Sequence, residues 1–445
     1  MARATLSELE GYLAANPQTR HIDGIVFDSN GIPFGKRVPL DDAKKLFTDG
    51  IRLSPANLVY DGRGQGRAVG GIGVTDGDPD AAAYPVSGTL VPVPWIESGG
   101  AQVLLGLEDG DRGGPLWFDP RAILIGVLDK FAALGLTPVV ACEYEFYLID
   151  KRGEADEMVP ARTPRTGAER LADGCLWIEK MDDFSDVLTA IEDGCRAQGL
   201  PVGATTAEYS STQFEINLNH KPDALRAADD ALMMRRAVRG IARAKGMDAT
   251  FMAKPFLNGA GSGLHVHVSV ADKEGNIFDE RRVEGTEKLH SAVAGLQATA
   301  SDMMLAFAPN LNSYRRYQPG VFAPMKPDWA EDDRRVSFRI PRQGGAGRRV
   351  EHRIAGADAN PYLVLAGILS GILDGIERRL VPTSPGPRDD GAPPPRLWTA
   401  LPAFRGSFFA ERVFGPFRDI WADLREIEAE AVLEGAHPQE QAWYG

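Results

Sequence analysis

Val139-Val140-Ala141-Cys142-Glu143-Tyr144-Glu145-Phe146-Tyr147-Leu148-Ile149 is a run of strand length, dense in aromatic and β-branched residues. On a β-strand successive side chains point to opposite faces, so Cys142, Tyr144, Phe146 and Leu148 share an apolar face and Glu143, Glu145 and Tyr147 the other. Two carboxylates on one side of a strand repel each other unless a cation or a proton lies between them. Taken alone, the pair reads as a solvated outer face, because glutamate is mostly exposed.

The recurrence of the pattern decides otherwise. Phe214, Ile216 and Leu218 alternate with Glu215, Asn217 and Asn219, and Leu264, Val266, Val268 and Val270 alternate with His265, His267 and Ser269. Val336, Phe338 and Ile340 alternate with Arg335, Ser337 and Arg339, and Val350, His352 and Ile354 with Arg349, Glu351 and Arg353. A face that is merely wet favours Lys, Thr and Ser. This one carries carboxylates, imidazoles and guanidiniums, the groups that hold divalent cations and phosphates. The expectation is one curved antiparallel sheet lining an active site.

The chain has 445 residues, 43% of them hydrophobic and 25% charged, ordinary for a globular protein with room for two or three domains. A net charge of -13 argues against a nucleic-acid partner, whose phosphates need a basic surface. Cys142, Cys175 and Cys195 lack the close pairing of a zinc site, and reduced thiols in the cytoplasm are expected. The N-terminus does not read as a signal peptide. No apolar run reaches the ~18 residues that suggest a membrane span.

Outward from the central strand, short apolar runs at Ile22 to Phe27, Asn57 to Tyr60, Gly88 to Val93 and Gln102 to Leu107 suggest a small β-rich domain, with a mobile loop over Asp61 to Gly77. After Asp119-Pro120 the spacing becomes helical. Further helices are expected at Leu6 to Leu13, Ser185 to Gln198, Pro222 to Lys245, Thr286 to Phe307, Asn360 to Arg379 and Phe417 to Glu434. The Asn360 helix is apolar nearly all round and should be deeply buried. Pro382 to Pro395 reads as proline-rich and flexible.

Glu143, Glu145, Glu208, Glu215 and Glu351 with His265 form an oxygen-dominated donor set, which suits magnesium or manganese rather than structural zinc. Five carboxylates exceed the needs of one ion, and two or three ions in a site usually serve a polyphosphate. The forks of Arg316, Arg334, Arg339, Arg349 and Arg353 can grip carboxylate or phosphate in two places. Asn258 to Gly263 lacks the ending of a Walker loop, but its place before His265 makes it a backbone clamp on a substrate.

Glu143-Tyr144-Glu145, Lys254-Pro255, Gly261-Ser262-Gly263-Leu264-His265-Val266-His267, Asn312-Ser313-Tyr314-Arg315-Arg316 and Asn360-Pro361-Tyr362 together resemble the glutamine synthetase family. The resemblance implies an α+β fold with an N-terminal β-grasp domain over 17–112 and a catalytic domain over 113–445. It also implies two stacked hexameric rings with each active site at a subunit junction. ATP would phosphorylate the γ-carboxylate of glutamate, and an amine would displace the phosphate. By the same resemblance Glu145, Glu208 and Glu215 hold a first metal, and Glu143, His265 and Glu351 a second. Arg316 and Arg353 grip the glutamate carboxylate with Gly261 on its backbone side. Arg334, Arg339 and Arg349 neutralise phosphate and nucleotide, and His267 and Ser269 lie on the nucleotide side.

Two departures bear on the acceptor. Ammonia-using members carry a glutamate where this chain has Phe322, within Pro319-Gly320-Val321-Phe322-Ala323-Pro324. A phenyl ring cannot take a proton from ammonium but can pack against carbon on a larger amine. The family's ammonium-binding Asp-Gly-Ser-Ser loop is replaced by Tyr60-Asp61-Gly62-Arg63-Gly64, leaving Asp61 as the candidate for that role. The favoured reading is a γ-glutamyl ligase for a primary amine, resembling the γ-glutamylpolyamine synthetases. An ammonia-using glutamine synthetase and a non-catalytic regulatory homologue are the alternatives.

Overall fold

A computed structural model describes residues 2–434 apart from 67, 74, 111, 153–156, 170–172 and 388–393. Helix α1 (Leu6–Ala15), capped by Thr5, leads into β1 (His21–Phe27), β2 (Pro33–Pro39), α2 (Ala43–Thr48), β3 (Ile51–Leu53), β4 (Ala81–Pro85), β5 (Val91–Pro92) and β6 (Gly100–Glu108). Their sheet runs β2-β1-β6-β4-β3 with β5 also on β6, and β1 lies parallel to β6. The run Asn57 to Tyr60 is not a strand: a 3-10 turn covers Pro55–Val59, because Pro55 has no N–H to give a ladder. Of Gly88 to Val93 only β5 pairs. The part of the proline-rich stretch at 388–393 lies outside the described residues.

Beyond Glu108 the next element is α3 (Pro120–Ala133), whose Asp119 cap accepts from Arg121 N. Then follow β7 (Thr137–Arg152), β8 (Glu157–Pro160), α4 (Ile178–Asp183), α5 (Ser185–Ala197), β9 (Val202–Ala207), β10 (Gln213–Leu218), α6 (Ala224–Ala244), β11 (Asp248–Thr250), β12 (Leu264–Asp272) and β13 (Gly275–Asn276). Next come α7 (Gly285–Phe307), α8 (Leu311–Tyr314), β14 (Trp329–Glu331), β15 (Phe338–Ile340), β16 (Val350–His352), α9 (Pro361–Glu377), α10 (Leu397–Gly406), α11 (Phe408–Phe414) and α12 (Phe417–Leu433).

The large sheet runs β14-β15-β16-β12-β7-β10-β9, with β8 and β11 on β7 and β13 on β12. It is antiparallel except where β14 meets β15 in parallel. The strand expected from Arg335 begins only at Phe338. Arg335 instead folds back onto Asp333, its N–H donating at 2.9 Å and its guanidinium at 2.7 Å.

The apolar face of β7 is fully buried: Cys142, Tyr144, Phe146 and Leu148 pack with Phe214 and Phe251, each large side chain contributing about 1.5–3 kcal/mol on leaving water. Behind it, α9 is buried nearly all round, as its sequence predicted. It crosses α7 at glycines: a Cβ on Gly295 would lie 2.1 Å from Gly371 O, and one on Gly375 2.0 Å from Ser291 O, so only glycine allows the two backbones this close. Buried Arg121 grips Asp229 at 2.8 and 2.9 Å, and Tyr362 OH donates to the same carboxylate, joining α3, α6 and α9. Asn360 caps α9 and donates to Asp28 O at 2.9 Å, tying the helix to the N-terminal region.

Candidate active site

Strand register assembles the polar face. In β7 and β12 His265 lies opposite Glu143; in β7 and β10 Glu215 lies opposite Glu145; in β12 and β16 His267 lies opposite Glu351; and in β15 and β16 Arg339 lies opposite Glu351. Residues distant in sequence thus become cross-strand neighbours about 5 Å apart. Glu208 joins them just past the end of β9, its N–H donating to Gln213 O at 2.9 Å. Two donor groups lie within ligand reach of one cation, Glu143 with Glu215 and His265, and Glu143 with His267 and Glu351.

His267 differs from His265 in what its ring can do. Arg349 Nε donates to His267 Nδ1 at 3.0 Å, and His267 Nε2 lies 2.9 Å from Glu143. With Nδ1 accepting, the proton of the neutral ring sits on Nε2 and points at Glu143. In that tautomer the ring orients a carboxylate, and His267 joins its donor group only when Nε2 gives up the proton to Glu143 or solvent. His265 is buried with Nε2 lacking a hydrogen-bond partner among the described residues, 3.8 Å from Glu145, and its Nδ1 is 3.6 Å from Glu143. Burial and then Arg353 push its pKa down to about 4, so it is a neutral donor with a lone pair in a carboxylate cage, which fits a divalent ion.

The carboxylates divide electrostatically. Burial, then Glu143, Glu145 and Glu208 push Glu215 up to about 9. Burial, then Glu208 raise Glu145 to about 7 against the opposing pull of Arg316 and the Gly263 N–H. Burial also raises Glu208, opposed by Lys180. At the other end burial pushes Glu351 up, but Arg353, His267, His265 and Arg339 outweigh it and hold it down at about 2. Burial of Glu143 is likewise outweighed, here by the neighbouring imidazoles of His265 and His267, the latter at hydrogen-bond distance.

The guanidiniums have distinct settings. Arg353 donates to Glu351 at 2.5 Å and keeps a buried Nε without a partner among the described residues, while Arg339 Nε donates to the other oxygen of Glu351. Arg316 is committed to the backbone, donating to Ile354 O at 2.7 Å and Ala355 O at 3.2 Å. Gly261 lies against it, since an added Cβ would stand 2.6 Å from Arg316 Cγ. Arg334 is exposed, as is Phe322, 68% exposed in the irregular segment before β14. Ser269 lies further along β12, opposite Val139. Asp61 stands apart from the cluster's element: it is fully buried and accepts from Arg63 N, Gln65 N and the Arg63 guanidinium, which shapes its own turn.

Sequence reasoning missed the supports. Gln213 donates to Gly261 O at 3.0 Å and Glu145 at 3.3 Å, and Gly263 N donates to the same Glu145 oxygen at 2.9 Å. Lys180, fully buried in α4, donates to Glu208 O at 2.5 Å and to Ser210 O. Alternation places Gln213 on the face of Glu215, a signal that was there; an isolated lysine in a short helix gave none. Two motifs prove to be scaffolding in part: Asn312 bonds both N and O of Lys254, and the Lys254 ammonium holds Gly259 O in the glycine loop.

Residues 118–444 match the glutamine synthetase catalytic domain. The chain is 38% identical over 379 residues, 85% of this chain and 80% of the relative, to gamma-glutamylputrescine synthetase PuuA of Escherichia coli K12. It is 35% identical to a glutamate--isopropylamine ligase of Pseudomonas, over 80% of this chain and 78% of that one. A glutamine synthetase of Pyrococcus abyssi is 30% identical over 85% of this chain and 79% of its own. The solved GmaS/ADP complex in conformation 1 superposes with a TM-score of 0.83 over 98% of both chains at 23% identity, a likeness of fold. On the catalytic-domain match and these relatives together, the chain belongs to the glutamine synthetase family.

Proposed function

We propose that the chain is an ATP-dependent ligase joining the γ-carboxylate of glutamate to a primary amine, with the face of β7, β10, β12 and β16 as its site. The carrying observation is the meeting of an under-neutralised acidic end and an arginine-rich end on one sheet face. A γ-carboxylate oxygen of glutamate attacks the terminal phosphorus of ATP and ADP leaves. The amine nitrogen then attacks the acyl carbon, the bond to phosphate breaks, and a proton leaves the nitrogen.

Glu145, Glu208 and Glu215, with Glu143, His265 and Glu351, would hold two or three Mg2+ or Mn2+ ions, which when bound supply charge neutralisation of the triphosphate. Arg339, Arg349 and the exposed Arg334 would meet the charge that builds on the transferring phosphoryl group. Arg353 binds the glutamate carboxylate through its unpartnered Nε. Gly261 presents its backbone to the same substrate, and Arg316 holds the β16-to-α9 backbone on which Arg353 depends. His267 keeps Glu143 oriented, and Ser269 lies towards the nucleotide.

Phe322 would border the amine, and its exposure in one chain fits a pocket completed at a subunit junction of two stacked hexameric rings. Asp61 could accept the amine proton only by giving up the turn it holds. A cytoplasmic setting agrees with the free cysteines, and no described helix is long and apolar enough to cross a membrane. The test is phosphate release with ATP, Mg2+ and glutamate, with and without putrescine or isopropylamine. Release that requires the amine supports the ligase; equal release with ammonium alone favours a glutamine synthetase, and no release with any nitrogen donor favours a non-catalytic homologue.

A further inference from the structure

On the opposite face of the sheet, a cavity of about 660 Å³ opens between α6 and the N-terminal region, lined by Phe27, Ile32, Trp95, Leu232 and a row of arginines. Arg235, Arg239 and Arg243 recur at four-residue spacing, so a helix sets them on one face, with Arg236 beside them. Like charges at this spacing repel one another unless an anion answers them.

Among the described residues, ion-pair contacts reach Arg243 and Arg236 and neither Arg235 nor Arg239. Arg243 pairs with Asp248 at 3.2 Å, and Arg236 donates to Gln102 at 2.6 Å with Asp23 at 3.9 Å. Arg235 is 7% exposed, makes a long bond to Ala359 O at 3.4 Å, lies by the Tyr144 ring, and has a buried Nε without a partner among the described residues. Arg239 has no hydrogen bond or ion pair among the described residues and rests 5.6 Å above the Phe251 ring. Burial and then Arg235 push its pKa down to about 10. In a chain of net charge -13, Arg235 and Arg239 stand at the wall of a cavity with no carboxylate in ion-pair contact among the described residues, Asp358 and Asp248 acting on them only from further off, an arrangement that can take an anion.

The rest of the lining adds shape. Trp95 lies flat on α6 because residue 240 is glycine: an added Cβ there would stand 2.4 Å from the indole. With Phe27, Ile32 and Leu232 it makes an apolar wall facing the guanidiniums, within the ~300–1,000 Å³ range of small-molecule sites. We propose that this cavity binds a small organic anion, a flat apolar body carrying a carboxylate or phosphate, with Arg235 and Arg239 gripping the charge and Trp95 the body. The site is separate from the ligase face and does not rest on that reading. It lies directly behind it, since the Arg235 guanidinium sits 5.9 Å from the ring of Tyr144, the residue between Glu143 and Glu145.

The test is calorimetric titration of the full chain with phenyl phosphate and, separately, benzoate, on wild type, Arg239→Gln and Arg339→Gln. The expected result is saturable binding of at least one probe by wild type, weakened about tenfold or more in Arg239→Gln and within about twofold of wild type in Arg339→Gln. The stronger probe tells phosphate from carboxylate. Wild type binding neither probe overturns the proposal, as does equal binding by Arg239→Gln or a loss that tracks Arg339. Light scattering on the same samples gives a second check: a change of oligomeric mass in Arg239→Gln would mean that the cavity seats another copy of the chain, and would also overturn it.

Discussion

The two ends of the polar face use the same residue type in opposite ways. At the β7–β10 end, Glu145, Glu208 and Glu215 crowd one another and are pushed towards their protonated forms. At the β15–β16 end, Glu351 sits between Arg339 and Arg353 and is held ionised at about 2. Two to three strand spacings of about 5 Å each separate a place where negative charge is in excess from one where it is matched. Under the proposed function, a cation would complete the acidic end, whereas the basic end already holds its guanidiniums in place on Glu351.

The harshest way to break this contrast is to remove a carboxylate from either end. Glu143→Ala and Glu351→Ala should each lower kcat by about 10³-fold or more with the circular dichroism spectrum unchanged, since each links metal donors to the surrounding imidazoles or guanidiniums. Retention of a tenth of wild-type turnover would mean that the cluster is not the reaction centre. Arg339→Gln should cost about 10²-fold in kcat, because it removes phosphoryl neutralisation while leaving Arg353 on Glu351. An effect confined to the KM for the amine would place Arg339 elsewhere in the cycle.

Gentler changes sharpen the comparison. Phe322→Glu should shift selectivity between ammonium and a primary amine by about tenfold towards ammonium, read as the ratio of kcat/KM values; an unchanged ratio removes Phe322 from the acceptor pocket. The smallest effect concerns stability. A carboxyl raised to about 9 keeps in the folded state a proton that the unfolded chain has already released, so metal-free protein should lose stability as pH rises from about 7 to 9. Glu215→Gln should flatten that slope, and so should saturating Mg2+, which also raises Tm by mass action. A metal-free Tm that rises over this interval would contradict the electrostatic picture.

How much of this was legible in the sequence follows from which interactions are local. Alternation in Val139 to Ile149 and its echoes reports which side chains share a face, and β7, β10 and β12 formed where alternation placed them. The long amphipathic and apolar helices were equally plain, α9 above all. Register was not, because pairing His265 with Glu143 depends on turns far from either residue. The strand at Arg335 failed for a local reason, the pull of Asp333 on its neighbour. Asp61 looked like a free acid in a glycine loop, yet those glycines let its own turn close around it. The division between His265 and His267 was hidden because it lies in a hydrogen bond from Arg349 across the sheet.

The central claim, that these two ends act together on glutamate, ATP and an organic amine, is tested most directly by product mass. Wild-type protein is given ATP, Mg2+, glutamate and an equimolar mixture of ammonium and putrescine, and the amides formed are weighed by mass spectrometry. The account predicts γ-glutamylputrescine in at least about tenfold excess over glutamine. Glutamine as the main product, or ATP consumed with neither amide formed, would contradict it.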